Sequence, residues 1–137
     1  MTVPEKFIYL DYGNLNFYRD YFIGNMNESI VIKEEHIYTI QQYASDYYNE
    51  ESYVYISNRS SDYSVDPLAY LKVDFSPKLL AIVLVIKETR KTSALFEENF
   101  IGKPFRIFTS LEEATQWAEK FKKAYESDSK ESFPEDL

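Results

Sequence analysis

The apolar positions of this chain change period along its length, and each change marks an element. Lys6 to Asp11 and Leu15 to Ile23 are rich in Phe, Tyr and Ile. They flank Tyr12-Gly13-Asn14, where Gly and Asn can supply positive φ, which predicts a β-hairpin with a three-residue loop. Gly24-Asn25-Met26-Asn27 ends the second strand. From about Lys33 to Tyr48 the spacing becomes helical, with Ile37, Ile40, Ala44, Tyr47 and Tyr48 set among polar residues. Glu34 and Glu35 favour the positive end of that helix. Tyr53 to Ser57 alternates as a short strand. Asp66-Pro67 predicts a helix start, with Asp as N-cap, Pro at the first helical position and Leu68, Leu71 and Phe75 facing inward.

Leu79 to Ile86 is apolar throughout, which predicts a strand covered on both faces. Thr92 to Phe100 predicts a helix with Ala94, Leu95 and Phe96 as its apolar residues, ended by Gly102. Pro104 to Phe108 predicts a further strand. Ser110-Leu111-Glu112-Glu113 is a capping box, and the helix it opens carries Leu111, Ala114, Ala118, Phe121 and Tyr125 on one stripe, with Trp117 beside it. From Glu126 the pattern dissolves into five acids and one lysine.

The predicted order is β-β-α-β-α-β-α-β-α. Strand–helix–strand alternation implies parallel pairing through right-handed crossovers, and the opening hairpin adds an antiparallel edge. The expected fold class is therefore α/β, a small mixed sheet of about five strands with helices packed on it. No repeat or linker divides the 137 residues, so residues 1–125 are expected to form one domain and 126–137 a solvated acidic tail.

Composition then removes functions. There is no Cys and one His, so disulfide scaffolds, thiolate chemistry and multi-histidine metal sites are excluded. His36 stands in Lys33-Glu34-Glu35-His36, a charged helix opening, and is read as a surface residue. A formal charge of −8 opposes binding to nucleic-acid backbone or to anionic membrane surfaces. The longest apolar run is too short to span a bilayer. Met1-Thr2-Val3-Pro4-Glu5 lacks a basic and an apolar region, so no secretory signal is expected and the location is read as cytoplasmic. The Asn-x-Ser triplets at Asn27 and Asn58 are then chance matches.

Ligands of open α/β sheets bind beyond the carboxyl ends of the strands. Asn58–Asp66, Lys87–Lys91 and Thr109-Ser110 fall there. The first segment supplies the candidate ligand- or partner-binding residues Asn58, Arg59, Ser60, Ser61, Tyr63, Ser64 and Asp66. Three readings stand open. Arg59 and the hydroxyls beside a helix start could cradle an anion; one serine could accept a phosphate; or the segment is a solvated turn with Asx and Ser caps. Only three glycines occur, and no glycine-rich phosphate loop. The acidic pairs Glu34-Glu35, Glu97-Glu98 and Glu112-Glu113 diverge on their helices and are read as solvated. Trp117 and Phe121, with Tyr47 and Tyr48, either line an apolar cleft or are plain core.

Tyr55-Ile56-Ser57-Asn58-Arg59 with Tyr63-Ser64-Val65-Asp66-Pro67, and Lys103-Pro104-Phe105-Arg106-Ile107-Phe108 with Leu111-Glu112-Glu113-Ala114 and Trp117-Ala118, resemble the SpoIIAA-like branch of bacterial STAS domains over roughly residues 5–125. The resemblance implies a four- or five-stranded mixed sheet with helices mainly on one face. It also implies a domain that works by binding a kinase or partner protein, with a phosphorylated serine at the start of the second helix in the sporulation members. The matching segment here, Ser64-Val65-Asp66-Pro67, lacks their Asp-Ser-Gly-like pattern. The expected function is thus a non-enzymatic regulatory or protein-interaction module that needs no cofactor. The alternative is a small-molecule or lipid-like ligand carrier with an apolar cleft between sheet and helices; another copy or protein is the expected partner, or else a small apolar or anionic ligand. An exposed strand edge and surplus tyrosines add the expectation of a homodimer.

Overall fold

The computed structural model describes residues 3–59 and 63–132. Its elements are β1 (Lys6–Leu10), β2 (Gly13–Phe17), β3 (Tyr21–Met26), β4 (Val31–Ile32), α1 (Glu34–Tyr48), β5 (Tyr53–Asn58), β6 (Ser64–Val65), α2 (Ala69–Lys72), β7 (Leu79–Val85), α3 (Lys91–Glu97), β8 (Phe105–Phe108) and α4 (Leu111–Ser132). Short 3₁₀ turns, Glu88–Arg90 and Glu98–Phe100, flank α3.

The sheet has six strands in the order β1-β2-β3-β5-β7-β8. β1, β2 and β3 run antiparallel, and β3, β5, β7 and β8 run parallel. The protein is thus α/β with a mixed sheet, as the pattern predicted, but with one strand more than the five expected. A separate two-stranded ribbon pairs β4 with β6. The extra strand arises where one apolar run, Leu15 to Ile23, turns back on itself at Arg19-Asp20. There the Tyr18 N–H donates to the Tyr21 carbonyl at 2.9 Å. The opening unit is therefore a three-stranded meander. Gly13 lies inside β2, and no glycine has positive φ. It is glycine because a Cβ there would meet the backbone of Asn25 and Met26.

Two layers of core form because side chains alternate across the sheet. On one face Leu15, Phe17, Phe22, Ile82 and Leu84 pack against Ile40, Ala44 and Tyr48 of α1, Tyr70 of α2 and Ala94 of α3. On the other, Ile23, Val54, Ile56, Ala81 and Val83 pack against Ala114 and Ala118 of α4. Helices thus lie on both faces, three of the four on the first and α4 alone on the second. Tyr47 and Tyr48 belong to the first layer and Trp117 and Phe121 to the second, so these four cannot line one cleft. β7 is buried at every residue, as its unbroken apolar run predicted.

The short helices depart from their expected faces. α2 starts at Ala69 and buries Ala69 and Tyr70, leaving Leu68 and Leu71 55% and 65% exposed. In α3, Leu95 and Phe96 are exposed while Glu97 is buried. α4 runs on through Ser132, beyond the boundary expected at Tyr125. Lys122, itself buried, ties it to the β2–β3 turn through Asp20 at 3.1 Å and the Arg19 carbonyl.

Tyrosines fasten the helical layer to the sheet. Tyr48 stacks on Tyr53 at 4.5 Å and donates its hydroxyl to the Tyr18 carbonyl at 2.8 Å. Burial pushes its ionisation well above 10, and burial raises Tyr21 and Tyr47 to about 12. These groups release protons more readily in the unfolded chain, at 10, than in the native state. Their stabilising contribution is whole below that pH and is lost as pH rises through the native values. The tyrosinate absorbance of the buried rings should therefore appear only together with loss of far-UV circular dichroism, above pH 10. Full tyrosinate formation at that pH with an intact spectrum would contradict this burial.

Candidate functional site

The carboxyl ends of β5 and β7 frame the site. In β5 the residues Tyr53, Tyr55 and Ser57, and then Arg59 just past its end, face the α1–α3 layer, while Val54, Ile56 and Asn58 face the other way. Strand alternation therefore separates two residues that are neighbours in sequence. The Asn58 amide donates to the Asn25 side chain at 2.9 Å, and Asn25 donates to Asn14 at 3.1 Å, a row of amides on the α4 face. Arg59 turns the other way. Its N–H bonds to the Val85 carbonyl, and its side chain enters the layer beneath α3.

There Arg59 meets Glu97. The guanidinium donates to both carboxylate oxygens, at 2.5 and 2.7 Å, and the side chains are only 9% and 7% exposed. The Tyr70 hydroxyl donates to the same carboxylate at 2.7 Å. Arg59 Nε donates to Ser57 Oγ, which shares a hydrogen bond of 2.7 Å with the Tyr63 hydroxyl. The guanidinium also lies over the Tyr63 ring at 5.6 Å. Burial alone would lower the Arg59 pKa; its bonds to Glu97 outweigh that and raise it, so the group stays cationic. Burial raises Tyr63 and Tyr70, which remain neutral donors. Gly24 belongs to this arrangement: a Cβ on it would strike the Tyr55 hydroxyl, so glycine lets that ring lie across β3.

The network is a wall between two spaces. On its outer side is a cleft of about 390 Å³, within the roughly 300–1,000 Å³ range of small-molecule sites. Arg59, Tyr63, Ser64, Lys87, Arg90 and Glu97 are among its lining residues, with Ile86, Ala94 and Phe96 as apolar surface. Three cations and one carboxylate stand in this cleft, in a chain whose formal charge is −8. On the inner side is a cavity of about 50 Å³ between α1, α2 and the sheet, walled by Ile32, Ile40, Ala44 and Ile82 and by the rings of Tyr55 and Tyr63.

Of the predicted site residues, Arg59, Tyr63 and Ser64 come together at the cleft. Arg59 and Tyr63 are held in the wall, whereas Ser64 is exposed on β6. Asn58 faces away. Asp66 accepts the Leu68 N–H at 3.1 Å and holds the turn before α2, so it caps that turn instead of the helix. Ser60, Ser61 and Asp62 lie outside the described residues. Glu97 corrects the reading of Glu97-Glu98 as a solvated pair. Its signal was in the spacing: Glu97 stands three residues after Ala94, on the same face of the helix, and an acid beside a buried apolar position requires a buried partner. Tyr70 was missed because Leu68 and Leu71 competed for the same short helix.

Among the described residues, no helix is long and apolar enough to cross a membrane. Comparison with protein-family models, curated proteins and solved structures finds no match to the chain.

Proposed function

We propose that this protein is a non-enzymatic binding module whose cleft at the carboxyl ends of β5 and β7 receives a small organic anion. The observation that carries this reading is the placement of Lys87 and Arg90 around one cleft of an acidic protein, with Arg59 paired to Glu97 in the wall behind them. Lys87 and Arg90 are exposed and supply the attraction, Ser64 offers a hydroxyl, and Ile86 and Phe96 suit an apolar portion of the ligand. Binding without chemistry follows from Glu97, the acid of the cleft. It is already engaged by Arg59 and Tyr70 and is not disposed to take a substrate proton. The segments resembling SpoIIAA-like domains support a regulatory, non-enzymatic role in a cytoplasmic setting, and as to the partner they favour the second reading below.

Phenyl phosphate, titrated into isotope-labelled protein, tests the reading. Amide resonances of Ser64, Lys87, Thr92 and Ala94 are expected to shift saturably, and Lys87→Glu with Arg90→Glu to abolish the effect. Unmoved resonances around the cleft at millimolar probe would refute it.

A second reading, docking of another protein on segment 58–66 and α2, draws on exposed Leu68 and Leu71. Burial of Arg59 and Tyr63 weakens it, because neither is presented to a partner. Leu71→Glu separates the two readings, since it should leave phenyl phosphate binding unchanged.

A further inference from the structure

The sheet ends in two unlike edges. β8 follows Pro104, and its exposed Arg106 lies over the rings of Phe108 and Trp117 at 5.7 and 5.6 Å. Proline and charge are the usual guards of a sheet edge. β1 reads Lys-Phe-Ile-Tyr-Leu, with no proline inside it and its one charge at the first position. β2 pairs with one side of β1, and among the described residues no strand pairs with the other.

Both faces of β1 are apolar. Ile8 and Leu10 lie half-buried against the α1-side core. Phe7 and Tyr9 project from the opposite face, 43% and 82% exposed, with rings 4.5 Å apart, edge to face. The helix on that face, α4, packs chiefly on β3, β5, β7 and β8 and leaves this end of the sheet open. A strand apolar on both faces has the character of an interior strand.

We propose that β1 is an interior strand of a homodimer, in which the β1 strands of two copies pair antiparallel and join their sheets into one. Geometry favours a second copy as the occupant. Antiparallel pairing keeps each face continuous, so a two-fold axis through Ile8 sets each Phe7 opposite the other copy's Tyr9. The same strand is then its own complement. It gains two cross-strand aromatic pairs and sets Ile8 against its own copy, while the stem of each Lys6 lies along the other copy's Leu10. The contact is isologous and closes at two copies, since the guarded β8 edge does not propagate it. Each copy carries −8, so association strengthens as salt screens the repulsion.

Sedimentation equilibrium at rising concentration, up to about 1 mM, provides the test. Wild type is expected to reach the dimer mass, at lower concentration in higher salt. Phe7→Lys with Tyr9→Lys is expected to stay at the monomer mass with its far-UV spectrum unchanged. The chain has no cysteine, so oxidised Phe7→Cys/Tyr9→Cys protein adds an independent measurement: mapped disulfides should join position 7 of one copy to position 9 of the other. A wild type that remains monomeric throughout, a dimer indifferent to the lysine changes, or no such disulfide overturns the proposal.

Discussion

Glu97→Ala lowers the unfolding free energy by about 3–5 kcal/mol, the cost typical of leaving one member of a buried ion pair alone. Three elements lose their tie at once. Arg59 keeps its charge beneath α3 without a counter-ion, the Tyr70 hydroxyl loses its acceptor, and α3 loses the polar bond that holds it to β5. The expected sign reverses when both charges go. Arg59→Leu with Glu97→Leu should recover most of the loss, because removing the pair also removes the cost of dehydrating two ions. Urea unfolding of the two single variants and the double variant measures this, with equal m-values showing that the unfolded states match. A single-variant loss below about 1 kcal/mol, the range of exposed pairs, would mean that water reaches the pair.

Phe17→Ala is expected to cost about as much, roughly 3–5 kcal/mol for a buried aromatic. Phe17 has no exposed surface, stacks on Phe22 at 5.0 Å and lies tilted against Tyr47 at 4.8 Å, so it holds α1 onto β2 and β3. The damage should also reach the site. Phe22 stacks on Tyr55 at 4.6 Å, and Tyr55 forms part of the inner cavity wall. Leu71→Ala is the matching control; at 65% exposed, it should change stability by no more than about 0.5 kcal/mol. Thermal unfolding of both variants, with the fluorescence of Trp117 as a reporter from the opposite layer, distinguishes a global loss from a local one.

The two effects differ in how far they could be read in advance. Phe17 belongs to an aromatic-rich run that predicted a strand of the opening hairpin, even though the turn at Arg19-Asp20 inside that run did not show. Glu97 looked like one of several adjacent acidic pairs, and its burial depends on Arg59, 38 residues earlier in the chain. Local pattern reports which face of an element avoids water. It does not report which polar group from a distant element will meet it there.

The elements that are long and strongly patterned were legible in the chain's own periodicity. These are the helix over Glu34–Tyr48, the fully apolar strand at Leu79–Val85, the capped last helix and the α/β alternation between them. Their periodicity is a local property, and burial of the apolar face follows wherever they pack. The folded arrangement set the rest. It split the first apolar run into two strands, placed helices on both faces, and turned Asn58 and Arg59 to opposite sides of one strand. It also brought Arg59 to Glu97 at the mouth of a cleft. Each of these follows from pairing and packing between distant segments, where a charged residue is stable inside the protein only because its partner arrives from elsewhere in the fold.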